Sequence, residues 1–209
     1  IMNLSVQKPK KFYKNKKVFV TGATGFKGSW IVKWLELLGA KVYGIGYLPN
    51  DNKKFFYSLG LNKKRNFKIV DIRDSKSLKK TINTIKPGII IHMAAQPLIS
   101  ASYVNPHFTY STNAIGTLNV LQIVNNSKYV KSLVCITSDK CYKDSFSTKG
   151  FKENDQLGGE DPYSGSKACA EIIVKTYIES FFKKKKIGVA SARAGNVIGG
   201  GDFSQNRLI

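Results

Sequence analysis

The sequence predicts an α/β fold, a doubly wound parallel sheet with helices on both faces. Three observations predict it. Short β-branched runs alternate with stretches of helical periodicity along most of the 209 residues. A glycine-rich turn, TGATGFKG, joins the first such run to the first helix. Residues 89–93, IIIHM, are apolar but for His92, as befits a strand covered on both faces.

Taken in order, KVFVT at 17–21 reads as the first strand. Residues 29–38 follow as a helix with Ile31, Val32, Leu35 and Leu38 at helical spacing, ended by Gly39. Residues 41–46 make a second strand, and 50–64, polar with aromatics, a loop and a short helix. A third strand spans 67–71, and a helix over 75–85 is capped by Asp74 or Ser75. After the strand at 89–93, Pro106 opens a long helix to about residue 126. A fifth strand spans 132–137, Pro162 opens a helix to about residue 182, and a sixth strand spans 187–192. From Arg193 onward the pattern is glycine-rich, polar and irregular. The expected organisation is a basic extension at 1–16, a dinucleotide-binding domain at 17–195, and at 196–209 the start of a substrate-binding region otherwise absent.

Composition narrows the function classes. No apolar run is long enough to span a bilayer, and the lysine-rich first residues lack the apolar stretch of a signal peptide, so a cytoplasmic protein off the membrane is expected. Three cysteines without CxxC spacing read as reduced thiols, and two histidines make a metal site unexpected. The net charge is +21, yet only Arg65, Arg73, Arg193 and Arg207 are arginine. Readers of phosphates and bases lean on arginine forks, so a solvated lysine surface is favoured over a nucleic-acid site. Such a surface still attracts an anionic nucleotide.

Gly22, Gly25 and Gly28 lie between a strand and a helix. Glycine there permits a tight turn and the approach of a pyrophosphate to main-chain N–H groups, and the helix N-terminus adds partial positive charge. The second strand ends without the acidic residue that would hold an adenosine ribose, which leaves NAD and NADP both open. Asp71 and Ile72, after the third strand, are placed to face an adenine or simply to cap the next helix. Tyr163 and Lys167 are spaced i, i+4 on a helix and point the same way. An ammonium beside a phenol favours the phenolate, a base for a substrate hydroxyl, and Ser138 at a strand end can bond that same hydroxyl. Asn113 can support Lys167 through a water or a backbone contact.

The segments VTGATGFKGSW (20–30), IIHMAAQPL (90–98), SYVNPHFTYSTNAIGT (102–117), TSDKCY (137–142), DPYSGSK (161–167) and RAGNVIGGGD (193–202) carry a resemblance. The sequence resembles the extended short-chain dehydrogenase/reductases of the epimerase/dehydratase group, with a Rossmann-type domain. Within them it is most similar to the CDP-glucose 4,6-dehydratases, which look like Asp-Lys where dTDP-glucose dehydratases carry Asp-Glu. The resemblance implies NAD bound by Gly22, Thr24, Gly25, Phe26, Lys27, Gly28, Asp71, Ile72, Ala94, Ala95, Gln96, Asn113, Tyr163 and Lys167. It implies a nucleotide-sugar substrate, CDP-glucose, held by Gln96, Ser138, Asn196 and Arg207. Catalysis would fall to Ser138, Asp139, Lys140, Tyr163 and Lys167, with Asp139 protonating the departing 6-hydroxyl and Lys140, or a water it activates, taking the C5 proton. Lysine serves as a base only where burial or a neighbouring cation favours its neutral form, and proximity to Lys167 is expected to supply this. The long helices holding Asn113 and Tyr163 resemble those that pair two subunits in a four-helix bundle. Ser100 and Glu160 depart from the family pattern. Two alternatives stand beside this reading: a dinucleotide-binding fragment without activity, and another epimerase or dehydratase of the same group.

Overall fold

The computed structural model describes residues 2–47, 53–63, 65–143 and 150–203. Six parallel strands form one sheet in the order β3-β2-β1-β4-β5-β6. They are β1 (Lys17–Thr21), β2 (Lys41–Gly46), β3 (Phe67–Ile69), β4 (Ile89–His92), β5 (Ser132–Ile136) and β6 (Gly188–Ala192). The chain reverses its progress across the sheet between β1 and β4, which opens a crevice at their carboxyl ends.

Alternation along β1 explains why both faces are covered. Val18, Phe19 and Val20 are all fully buried. Phe19 packs with Ile45, Ile90, Leu121 and Leu133, while Val18 and Val20 pack on the other side with Val32, Leu35 and Val42. Each such side chain contributes about 1.5–3 kcal/mol by leaving water.

The helices are α1 (Met2–Tyr13), α2 (Phe26–Leu37), α3 (Lys53–Ser58), α4 (Ser75–Ile85), α5 (Ile99–Val104), α6 (Pro106–Tyr110), α7 (Gly116–Asn125) and α8 (Pro162–Tyr177). Two differ in extent from the sequence expectation. Helix α2 begins at Phe26, not residue 29, because the glycine turn feeds straight into it: Ser29 N–H already donates to Gly25 O at 2.8 Å. Strand β3 stops at Ile69, since its only ladder is with Gly44–Gly46 of β2. Asp74 is the cap of α4, accepting from Lys76 and Ser77 N–H. Helices α6 and α7 run on through a wide five-residue turn at Ser111–Ile115, and α8 continues through a like turn at Ile178–Phe182. Helix α1, within the expected basic extension, and α5 carry too little apolar periodicity to be read in advance. Among the described residues no helix is long and apolar enough to cross a membrane.

Candidate active site

The turn after β1 is shaped by contacts that only glycine permits. Gly22 has φ +71°, and a Cβ there would lie 2.8 Å from Ala94 N. A Cβ on Gly28 would lie 1.9 Å from Gly22 O, so the first turn of α2 presses directly on the loop. Thr24 Oγ1 donates to Tyr47 O at 2.7 Å and ties the loop to the end of β2. No acidic residue sits in the first turn of α2, whose N-terminal N–H groups face the crevice with partial positive charge. This cradle fits a diphosphate: a tight glycine turn, a helix N-terminus and Lys27 beside it.

A buried polar chain fixes the cradle to the sheet. Thr21 Oγ1 accepts from Met93 and Ala94 N–H, each at 3.1 Å, and so donates its own proton to His92 Nδ1 at 2.7 Å. His92 Nε2–H then donates to Thr117 Oγ1 at 3.0 Å, and Thr117 donates to Asn113 O at 2.7 Å. Burial holds the imidazole neutral, its pKa pushed down to about 3. Asn113, 2 % exposed, closes a reciprocal pair with the Gln96 backbone, accepting from N–H at 2.8 Å and donating to O at 3.0 Å. Its amide also donates to Ser166 Oγ at 2.8 Å, next to Lys167 in sequence. Ser166 Oγ donates on to Tyr163 O at 2.6 Å, so Asn113 is tied to the helix backbone beside Lys167.

Helix α8 presents the expected pair. Its start is held twice over: Tyr163 N–H donates to Asp161 Oδ1 at 2.9 Å and to Ser102 Oγ of α5 at 3.1 Å. Asp161 also accepts from Ser164 N–H at 3.0 Å and Ser164 Oγ at 2.5 Å. One turn on, Lys167 is 6 % exposed, with Nζ 6.0 Å from the centroid of the Tyr163 ring. Burial, reinforced by the Lys27 ammonium, pushes its pKa down to about 8. Ser138 follows β5, its Oγ donating to Asp139 Oδ1 at 3.1 Å and accepting from Lys140 N–H at 3.2 Å.

These groups meet in one cleft of about 320 Å³ at the strand carboxyl ends, lined by Phe26, Lys27, Ser138, Asp139, Lys140, Tyr163 and Asn196 among others. Ser100, Leu98 and Asp202 also face it. Asp139 is half-buried, but Lys140 is exposed, so the desolvation expected to make it a base is not supplied here by Lys167. Gln96, expected to hold cofactor and substrate, instead turns inward, bonding Leu98 O, Leu98 N–H and Thr109 Oγ1, and is not among the residues lining the cleft. Asp71 is engaged by Arg73, whose guanidinium holds its carboxyl below the usual range, and Ile72 is buried in the core. Ala94 and Ala95 lie half-buried after β4. Glu160 is exposed just ahead of the Asp161 cap. Arg207 lies outside the described residues.

Four residues escaped the sequence reading: Ser102, Asp161, Glu171 and Arg193. Asp161 stands directly before Pro162, a helix-start signal that was available. Glu171 is a lone acid eight residues after Tyr163, on the same helical face, in an otherwise apolar stretch.

Comparisons with known proteins bear on this arrangement. Residues 19–200 match the model of the family described as GDP-mannose 4,6 dehydratase. The CDP-glucose 4,6-dehydratase of Salmonella typhimurium is 46% identical over 205 residues, 96% of this chain and 57% of the relative. The human dTDP-D-glucose 4,6-dehydratase is 32% identical over 193 residues, 88% of this chain and 52% of the relative. Among solved structures, the dTDP-glucose 4,6-dehydratase of Bacillus anthracis in complex with NAD superposes with a TM-score of 0.69 at 26% identity, covering 89% of this chain and 56% of that one. The chain thus spans little more than half the length of the proteins it matches.

Proposed function

Because the chain belongs to the GDP-mannose 4,6-dehydratase family, we propose that it forms the cofactor-binding part of a nucleotide-sugar 4,6-dehydratase acting on CDP-glucose with NAD. The observation that carries the reading is the convergence of Ser138, Asp139, Lys140 and Tyr163 on one cleft beside the glycine cradle. A racemising or epimerising relative that only moves a hydride has no use for an acid and a base immediately after Ser138.

NAD, held by the glycine cradle with Lys27 beside it, would supply the reversible hydride chemistry that C4 and C6 of the sugar require. Tyr163 accepts the proton of the 4-hydroxyl, and Lys167, charged at neutral pH, stabilises the phenolate that must be present to do so. Ser138 orients the same hydroxyl. The 4-ketone so formed acidifies C5–H, which Lys140 removes while Asp139 protonates the leaving 6-hydroxyl, expelling water. Lys140 stands at the exposed mouth, so the bound sugar itself must bury it. Asn196, after β6, lines the opposite wall, where the nucleotide sugar would lie. Lys140 gives its proton back to C5 as C6 is reduced, and the product is a 4-keto-6-deoxy sugar still on its nucleotide.

We extend the proposal to a homodimer through the long helices, supported by Tyr110, Ile115, Ile172 and Phe181, which expose apolar surface along them. The free thiols of Cys135, Cys141 and Cys169 suit a reducing compartment such as the cytoplasm. Mass spectrometry of CDP-glucose incubated with protein and NAD tests the activity. A product lighter by one water, abolished in Tyr163→Phe while cofactor binding persists, is the expected result. Unchanged substrate with cofactor bound would instead support a binding fragment without activity.

A further inference from the structure

The buried acid left unused by the reaction is Glu171, 3 % exposed on α8, two turns past Tyr163 and one past Lys167. It is the meeting point of three elements. Thr137 Oγ1, at the end of β5 and next to Ser138, donates to its Oε1. Ser191 Oγ of β6 donates to Oε2 at 2.9 Å, and Arg193 Nη2 at 2.8 Å. Arg193 reaches further: its guanidinium lies 4.8 Å over the Tyr142 ring and donates to Glu153 O at 3.0 Å. Alongside, the Thr137 and Asp139 N–H groups donate to Ala192 and Ala194 O, each at 3.0 Å.

We propose that Glu171 is a positioning residue for the reaction, a clamp that holds the face of α8 bearing Tyr163 and Lys167 against the ends of β5 and β6, which bear Ser138–Lys140 and Asn196. The inference rests on the functional reading above. The ends of β5 and β6 both reach this carboxylate of α8, β5 through Thr137 and β6 through Ser191 and Arg193. A neutral side chain could pack in this space, but could not accept from Thr137, Ser191 and Arg193 together. A carboxylate also sets a compensating charge one helical turn from the buried Lys167 ammonium, and it opposes the burial that favours the neutral amine. The Arg193 and hydroxyl donors in turn keep Glu171 ionised, its pKa below the usual range despite burial.

The test does not depend on turnover, so it stands apart from the assignment of substrate. Lys167 is titrated by 13Cε-lysine NMR in the protein, its resonance assigned with Lys167→Arg, and compared with Glu171→Gln. The expected result is a midpoint moved about half a pH unit or more to the acid side, with at least about tenfold faster hydrogen exchange at the Thr137 and Asp139 amides and none at the β1 amides. A purely structural Glu171 would lower the melting temperature and leave the Lys167 midpoint where it is; that outcome overturns the proposal. Removing one member of a buried ion pair strands the other, so Glu171→Gln can fail to fold. The double variant Glu171→Gln, Arg193→Gln removes both charges and is the better tolerated. A smaller acid shift is expected in it, because the Arg193 charge is removed as well, with the same faster exchange at the Thr137 and Asp139 amides; unchanged exchange there refutes the clamp.

Discussion

Lys167 carries a cost in stability that can be measured. Its pKa falls from an ordinary 10.5 to about 8, first because it is buried and then because Lys27 faces it. The unfolded chain therefore holds a proton between these two values that the folded chain gives up. Stability from this group is fully present above pH 10.5, declines as pH falls toward 8, and is absent below. The gap corresponds to about 3 kcal/mol at 1.36 kcal/mol for each pH unit. Lys167→Met keeps the length and apolar stem but never has to bury a charge. Relative to the unsubstituted protein it should be more stable at pH 7 by roughly 3 kcal/mol, adjusted by a constant packing difference. That advantage should shrink steadily between pH 8 and 10 as the unsubstituted protein recovers. Urea unfolding followed by the fluorescence of Trp30 and Trp34, both on α2, reads it out at a series of pH values. Other titrating groups cancel in the difference between the two proteins. A difference flat from pH 7 to 10 would refute the reasoning, because a charge that costs nothing to bury cannot have had its pKa lowered by burial.

Two further outcomes follow from other parts of the site. Gly28→Ala places a methyl carbon 1.9 Å from Gly22 O, a clash with backbone that no rotamer relieves, so NAD binding measured by calorimetry should be lost and stability should fall by several kcal/mol, on the order of 3. His92, held neutral with a pKa of about 3 against an unfolded 6.5, contributes stability that is present above pH 6.5 and is lost as pH falls toward 3. His92→Gln should therefore flatten the stability profile between pH 6.5 and 4 by roughly 3 kcal/mol in denaturant titrations, and an unaltered slope would show that His92 is protonated in the folded state.

Much of the fold was legible because it is written in short-range pattern. The β-branched runs, the largely apolar strand at 89–93 and the glycines between β1 and α2 all announce themselves locally, and the strands appear within a residue or two of where periodicity puts them. The pair Tyr163 and Lys167 was legible for the same reason, being one helical turn apart. Three kinds of feature were not. Helix α5 is short, and its use lies in Ser102, which caps a helix 61 residues later. The Thr21–His92–Thr117 chain spans three elements, and no spacing in the sequence marks its members as neighbours. The exposure of Lys140 depends on what stands around the 139–141 turn, which adjacency to Ser138 does not reveal. Motifs report which chemistry is present; burial of a given side chain is a property of contacts made far along the chain.

The polar interior divides into two electrostatic regimes, and the division bears on the proposed roles of Tyr163 and Lys167. Beneath β1 and β4, His92 is neutral and each donor on its path has an acceptor, ending on Asn113 O. Such a satisfied chain adds rigidity with no net charge to desolvate, which suits the part that holds the glycine cradle still. Under α8, by contrast, two cations and one anion, Lys167, Arg193 and Glu171, are taken out of water together. One pair is matched by contact at 2.8 Å, and Lys167 is left with only distant compensation. That imbalance is unfavourable for folding, yet it places an under-neutralised positive charge beside the Tyr163 ring. In the proposed reaction a phenolate formed there would gain what Lys167 lacks, and the deficit that lowers the lysine's pKa would return as stabilisation of the base. Neutralising the site more completely, for instance by an acid close to Lys167, would strengthen the fold and weaken the phenolate.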